Sequence, residues 1–236
     1  MMTDPFRAEI TDIFSSIQGE GIFVGAKQIF VRFRDCNMKC EYCDETREGE
    51  IKNVLPDELM DMVRSLEITK GPHHSVSLTG GEPLLYAGFL NRFLRLLVED
   101  EHKTYLETNG TLPEALLQVI DLVDIVAMDF KLPSSTGAKA FWNEHREFLN
   151  IARRKKIFVK AIVTASTVKD DIEKAIEIIK SVDRHIPFIL QPATPRKDVE
   201  KGINSNTILD FLEAGAKHNL ENIRIIPQIH KMLDMK

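Results

Sequence analysis

Arg34-Asp35-Cys36-Asn37-Met38-Lys39-Cys40-Glu41-Tyr42-Cys43-Asp44 holds every cysteine of this 236-residue chain, in the spacing C-x3-C-x2-C. An odd number of thiols cannot form a fully paired disulfide framework. Three so close in sequence can converge on one small object, because an extended chain advances only about 3.5 Å per residue. A structural zinc site draws four ligands from Cys and His. The nearest histidines, His73 and His74, stand beyond a predicted helix. A [4Fe–4S] cluster held by three thiolates suits the donor set better, and would leave one iron open to an exogenous molecule. Three buried inert thiols and a zinc-binding interaction module are the competing readings.

Working outward, Gln28-Ile29-Phe30-Val31-Arg32-Phe33-Arg34 reads as the strand that delivers the chain into this loop, being rich in β-branched and aromatic residues. Alternation puts Arg32 and Arg34 on one face and Val31 and Phe33 on the other. Before it, Glu9 to Phe14 alternates as a short strand. That strand is predicted to end in Ser15-Ser16-Ile17-Gln18-Gly19-Glu20-Gly21, where two glycines permit close backbone approach to a ligand. On the other side, Pro56-Asp57-Glu58 opens a helix with Leu59, Met62, Val63 and Leu66 as its buried stripe. The strand Ser75 to Thr79 then runs into Gly80-Gly81-Glu82-Pro83, where backbone groups are left open to a ligand.

Further along, strand 103–107 ends in Thr108-Asn109-Gly110, and Thr111-Leu112-Pro113-Glu114 has the spacing of a capping box. Strand 123–128 ends in Asp129-Phe130-Lys131, a charged pair emerging from an apolar run. A helix over 139–152, a strand over 157–163, a helix over 170–182 and a strand over 187–191 follow. A helix around Ile208 to Ala216 leads to a last strand, 222–226, and the tail Pro227-Gln228-Ile229-His230-Lys231. Strands alternating with helices predict an α/β fold with a mostly parallel sheet. About six βα units are too few for a closed eight-stranded barrel. The expectation is one domain over 1–236: a partial, open TIM-like βα barrel, its ligand residues gathered at strand C-terminal ends.

A net charge of −5 gives no reason to expect a nucleic-acid partner or an anionic membrane surface. No apolar run approaches the roughly 18 residues of a membrane span. The first residues show no basic region followed by an apolar one, so no secretory signal is expected. Thiols of this kind suit a reducing cytoplasm.

The C-x3-C-x2-C spacing resembles the cluster motif of the radical S-adenosylmethionine (SAM) enzymes, and Gly80-Gly81-Glu82 resembles the motif that binds the SAM amino group there. Ile17 to Gly21, Phe30-Val31-Arg32, Cys43-Asp44, Thr79 to Pro83, Glu107 to Gly110 and Pro227 to Lys231 together are similar to the 7-carboxy-7-deazaguanine synthase family, nearly end to end. The resemblance implies a carbon–nitrogen lyase that converts 6-carboxy-5,6,7,8-tetrahydropterin to 7-carboxy-7-deazaguanine, on the route to queuosine and related deazapurines. It implies a [4Fe–4S] cluster, SAM and Mg²⁺, a flavodoxin or ferredoxin as electron donor, and a homodimer.

Carried over by position, Cys36, Cys40 and Cys43 would hold the cluster. Tyr42, Asp44, Gly80, Gly81, Glu82, Glu107, Asp129, Phe130 and Lys131 would line the SAM site. Ile17, Gln18, Gly19, Glu20, Arg32, Thr79, Gln191, Gln228 and His230 would contact the pterin. The family usually has Thr or Ser directly after Cys-Asp as a Mg²⁺ ligand. This chain has Glu45 there, with Thr46 next, and either could supply oxygen to the ion. The Asp129-Phe130-Lys131 segment also departs from the usual Ser-Pro-Lys. A radical SAM activase of a glycyl-radical protein, or a radical SAM enzyme acting on another heterocycle, would share the cysteine and Gly-Gly-Glu motifs. The activase would not need the Gln-Gly-Glu-Gly loop or the Gln228 to Lys231 tail.

Overall fold

The computed structural model describes residues 6–44, 50–195 and 202–235. Its first strands are β1 (Ala8–Ile17), β2 (Lys27–Phe33) and β3 (Lys52–Val54), followed by helix α1 (Pro56–Lys70). Then β4 (Ser75–Gly80), α2 (Ala87–Glu99), β5 (Thr104–Thr108), α3 (Pro113–Leu117) and β6 (Ile125–Asp129) alternate. Two helices, α4 (Pro133–Thr136) and α5 (Trp142–Ala152), precede β7 (Lys156–Val163). The chain continues with α6 (Lys169–Val182), β8 (Phe188–Pro192), α7 (Ser205–Lys217), β9 (Ile223–Ile225) and the short α8 (Ile229–Met232).

All nine strands form one sheet in the order β3-β1-β2-β4-β5-β6-β7-β8-β9. From β2 to β9 every neighbour is parallel. Six strands, β2 and β4 to β8, are each followed by helix before the next parallel strand, so the predicted six βα units are present. β3 and β9 are the two edges, and the barrel stays open between them. One difference from expectation lies at the β3 edge, where β1 runs antiparallel to both its neighbours. A second is the length of β1. Ser15, Ser16 and Ile17 continue to pair, opposite Ile29, Gln28 and Lys27, because backbone pairing tolerates serine on an alternating strand.

Period-two alternation sorts the strands' side chains into two layers. Val31, Phe33, Leu78, Leu106, Met128, Val159 and Leu190 join the outer core beneath the helices. They meet stripes at helical spacing, such as Phe89, Leu90, Phe93, Leu94 and Leu97 of α2. The opposite face holds a smaller apolar cluster of Tyr105, Ile125, Ala127, Phe158 and Ile189, closed by Ile22 and Phe23 from a 3-10 turn (Gly21–Phe23). That plug seals one end of the concave face. Two residues further along β5, β6 and β7, the inward positions become polar: Glu107, Asp129 and Lys160.

Two local expectations are corrected. Thr111 does not cap α3. The residue before the helix is Leu112, which makes no side-chain cap, and the Thr111 hydroxyl is engaged with Asn109 and Asn37 instead. The predicted helix 139–152 starts only at Trp142, and a separate turn, α4, ends at Gly137 in the left-handed region.

Candidate active site

One cleft is lined by Cys36, Cys40 and Cys43 together with residues from β1, β2, β4, β5, β6, β7 and the tail. Its empty volume is about 1190 Å³, open solvent at its mouth included.

The first wall is the cysteine loop. None of the three cysteines is in a disulfide, and all are half-buried. Cys43 N donates to Cys40 O at 3.2 Å, curling the loop, and Glu41 N donates to Thr136 O of α4 at 3.1 Å. Asn37 is fastened from both sides, donating to Thr111 Oγ1 and accepting from Asn109 Nδ2, each at 2.8 Å. Burial pushes the Cys40 thiol up, and the Lys131 ammonium opposes it. Among the described residues no three His, Cys, Asp or Glu side chains close on a site for a single metal ion. The thiols line a wall rather than a point, and three such donors fit a three-thiolate cluster better than a four-ligand zinc.

Beside this wall, Gly80 and Gly81 pass close to the cysteine loop. A Cβ on Gly81 would stand 2.0 Å from Asp35 O, so only glycine lets the strand end lie against the loop. Gly81 N donates to Phe33 O at 2.8 Å and Glu82 N to Asp35 O at 2.6 Å. Glu82 itself turns away from the cleft. Its carboxylate is fully buried and accepts from Asn109 N at 2.7 Å, Thr108 Oγ1 at 2.8 Å and Leu84 N at 3.1 Å. Burial raises its pKa to about 7 against the pull of those donors.

At the end of β6, Lys131 Nζ lies 2.8 Å from Asp129 Oδ2 and 3.3 Å from the Tyr42 hydroxyl, and 5.3 Å from the centroid of the Tyr42 ring. Burial lowers the Lys131 pKa, but Asp129, Tyr42 and Cys40 more than restore it, so the group stays charged. Asp129 Oδ1 is buried without a hydrogen-bond partner and is therefore poised to accept one. Phe130 does not reach the cleft: its ring is buried between Trp142 and His145, 4.2 Å from the latter.

The floor is a charged cluster. Because β1 is antiparallel to β2, Ile17 lies beside Lys27, at the end of β2 remote from the cysteines. The Gln18-Gly19-Glu20 loop therefore enters the barrel from the opposite side. Glu20 forms an ion pair with Lys160 of β7 and accepts from Gln228 Nε2 at 2.8 Å. Burial pushes the Glu20 carboxyl up, but the Lys160 charge and the hydrogen bonds outweigh it and hold the group at about 2. Gln18 Nε2 donates to Gln28 Oε1 at 3.1 Å and Glu107 Oε1 at 2.9 Å, while Gln18 Oε1 accepts from Glu20 N at 3.0 Å. With both N–H groups engaged, Gln18 is a brace for Glu107 and Glu20. Ser77 adds a second bond to Glu107 Oε1 at 3.0 Å. Thr79 and Arg32 line the cleft above, Arg32 standing 5.0 Å from the Phe14 ring centroid.

The tail forms the last wall. Ile229 N donates to Gly19 O at 2.9 Å, and His230 packs on Gly19 so closely that a Cβ there would be 1.9 Å from its Nδ1. Lys231 pairs with Asp44, tying the tail to the cysteine loop. Burial lowers the His230 pKa against the raising influence of Glu20.

Most of the residues singled out from the sequence thus meet in one cleft: Ile17, Gln18, Gly19, Glu20, Arg32, the three cysteines, Tyr42, Asp44, Thr79, Gly80, Gly81, Glu107, Asp129, Lys131, Gln228 and His230. Glu82, Phe130 and Gln191 are not on its surface. Gln191 is fully buried on β8, and neither amide atom has a hydrogen-bond partner. Glu45 and Thr46 lie outside the described residues. Lys160 was missed. Its signal is plain in retrospect: a lone ammonium inside the otherwise apolar run Ile157-Phe158-Val159-Lys160-Ala161-Ile162-Val163.

Residues 30–179 match the model of the Radical SAM superfamily. The chain is 40% identical over 245 residues to a protein from Geobacter sulfurreducens called 7-carboxy-7-deazaguanine synthase, covering 96% of this chain and 97% of that one. It is 34% identical to a protein of the same name from Methanothermobacter thermautotrophicus, covering 98% of each. Among solved structures, QueE from Escherichia coli superposes with a TM-score of 0.64 at 20% identity, covering 98% of this chain and 100% of the other, which shows a shared fold.

Proposed function

The chain belongs to the 7-carboxy-7-deazaguanine synthase family of the radical SAM superfamily, and on that premise we propose that it converts 6-carboxy-5,6,7,8-tetrahydropterin to 7-carboxy-7-deazaguanine for deazapurine biosynthesis. The observation that carries this is convergence. The thiols shared by the whole superfamily line the same cleft as the Gln18–Glu20 loop and the Gln228–His230 tail, the segments particular to this family.

The three thiols would hold the [4Fe–4S] cluster, with SAM between it and Tyr42, Asp44, Gly80, Gly81, Asp129 and Lys131. Bound there, cluster and SAM supply a hydrogen-abstracting radical. Everything else falls to the chain. Gly80 and Gly81 offer backbone to the amino-acid part of SAM, and Asp129 Oδ1 is an open acceptor beside it. Arg32 suits a bidentate pair with the substrate carboxylate. Glu20 reads an N–H edge of the heterocycle as an anion. Glu107, grouped by sequence with SAM, shares its bonds with Gln18 and Ser77 on the floor, and so is assigned to the substrate's end. Gln228, His230 and Thr79 enclose that end, presenting C6 to the radical while the ring contracts and ammonia leaves. Glu82 acts indirectly, locking Asn109 to the start of the turn after Gly81. We assign Mg²⁺ to an oxygen of Glu45, in the place where relatives carry a hydroxyl.

We further propose residues 1–236 as one catalytic domain, cytoplasmic and homodimeric, reduced by a flavodoxin or ferredoxin. No helix among the described residues is long and apolar enough to cross a membrane.

The test is an anaerobic assay of cluster-reconstituted protein with SAM, reductant, Mg²⁺ and 6-carboxytetrahydropterin, read by mass spectrometry. Formation of 7-carboxy-7-deazaguanine without stoichiometric SAM consumption is expected. Cleavage of SAM to 5′-deoxyadenosine with no deazapurine would overturn the substrate and keep the radical chemistry.

A further inference from the structure

Lys160 is 6% exposed at the centre of β7, and it faces carboxylates from three other elements. Glu20, from the loop after β1, is its ion-pair partner. Glu107 Oε2, on β5, stands 4.0 Å away, and Asp129, on β6, is its neighbour in register. Asp129 is already served by Lys131 at 2.8 Å. The Lys160 charge therefore acts first on Glu20, with Asp129 and Glu107 beyond it. A buried ammonium is costly unless it is paired, so its position on an otherwise apolar strand calls for a role that compensates.

We propose that Lys160 is a positioning residue of the substrate site, holding Glu20 and Glu107 as two acceptors for the adjacent N–H donors of a 2-aminopyrimidinone edge. This rests on the substrate reading given above. The geometry gives Glu107 a fixed side and an available side, and leaves Glu20 a spare lone pair on each engaged oxygen. Glu107 Oε1 is taken by Gln18 and Ser77, while Oε2 points toward Lys160 at a distance beyond a hydrogen bond. Glu20 is gripped between Lys160 and Gln228. An exocyclic amine beside a ring N–H presents a guanidine-like donor pair, which a carboxylate reads as it reads arginine.

Without the ammonium, burial drives the Glu20 carboxyl up against only the Gln228 hydrogen bond and the weaker influence of His230. The other groups facing it do not replace Lys160. His230 has its own pKa lowered by burial, and Glu107 and Asp44 are anions. A protonated Glu20 would present an O–H toward substrate donors.

The test compares the holoenzyme with Lys160→Met and Lys160→Arg, using 6-carboxytetrahydropterin and its 2-desamino analogue as the probes. For Lys160→Met the KM for the pterin rises at least about tenfold, the loss of a charge-assisted contact. Its kcat/KM gains an acidic limb near neutral pH that the parent lacks, and the parent's preference for the 2-amino compound shrinks. Lys160→Arg restores part of the KM and removes the acidic limb. SAM affinity stays at the parent value in both. Should Lys160→Met not fold by circular dichroism, Glu20→Gln/Lys160→Met, which leaves no Glu20 charge unpaired, takes its place with the same loss of 2-amino preference expected. Variants with the parent's KM, pH profile and preference overturn the proposal alone. A parent that makes no deazapurine overturns the substrate reading and this proposal with it.

Discussion

Gln228 Nε2 donates to Glu20 Oε1 at 2.8 Å, joining the tail to the first loop of the barrel across 208 positions of sequence. Thr194 completes the link from the other side, its hydroxyl donating to Gln228 Oε1 at 2.5 Å. A hydrogen bond to a charged partner contributes about 1.5–3 kcal/mol. Gln228→Ala should therefore raise the KM for the pterin by roughly 10- to 100-fold. SAM cleavage in the absence of pterin should not change. Steady-state kinetics alongside 5′-deoxyadenosine release would show it, and an unaltered KM would remove Gln228 from the substrate wall.

Replacing any one of Cys36, Cys40 or Cys43 by Ala should abolish the iron–sulfur absorbance and all SAM cleavage. The thiols are half-buried at the rim of the cleft and outside the main apolar core, so the fold should persist. Iron content and far-UV circular dichroism test the two halves separately. A variant that retains near-stoichiometric iron would exclude that thiol from the ligand set.

Gly19→Ala should damage the tail more than the barrel. Its Cβ would fall 1.9 Å from His230 Nδ1, so the imidazole and with it α8 must shift. We expect faster proteolysis of the last ten residues and a higher KM for the pterin, with the midpoint of thermal unfolding little changed. Unchanged proteolysis and KM would mean the tail is not fixed by this contact.

His145 is fully buried, its Nε2 3.2 Å from Asn109 O, and burial lowers its pKa to about 3. Its unfolded value is near 6.5. The unfolded chain thus binds the extra proton first as pH falls. The stability associated with a neutral His145 is complete above about pH 6.5 and is lost as pH falls toward 3. Glu82, raised to about 7, has the opposite sign: it favours the fold at low pH and ceases to do so as pH rises from about 4.5 through 7. His145→Gln should flatten the acid side of the stability curve, measured as thermal midpoint from pH 7 to 4. An acid limb identical to the parent's would show that other groups dominate it.

Glu45→Ala should make turnover need more Mg²⁺, or abolish its dependence on the ion. A Mg²⁺ titration indistinguishable from the parent's would rule out Glu45 as a ligand. Glu45→Thr, which restores the usual hydroxyl, should rescue.

Local signals made much of this site legible in the sequence. Cysteine spacing, paired glycines and charged residues after apolar strands are each readable within a few positions. They single out Cys36, Gly81, Asp129 and Lys131, all of which line the one cleft. What escaped reading depended on distance. Lys160 has meaning only because Glu20 is folded against it from 140 positions away. Glu82 looks like a ligand in Gly-Gly-Glu, yet its partners Thr108 and Asn109 come from the next strand and turn it inward. Thr111 has the spacing of a cap, but Asn37 and Asn109 compete for its hydroxyl. Strand direction was the other gap. Alternation in β1 says that it is half-buried, not which way it runs.

That direction has a further consequence. The Gln18 loop belongs to the connection of the β1–β2 hairpin and Cys36 follows its second strand, so the offset between the two is set by counting the paired residues of β2. One residue inserted in β2 would swap the inward and outward sides of the strand beyond it. Two would restore the faces but displace the cysteine loop by about 7 Å. The hairpin is a molecular gauge, and this enzyme's tolerance of insertions should be lowest in a strand that carries no cluster ligand at all.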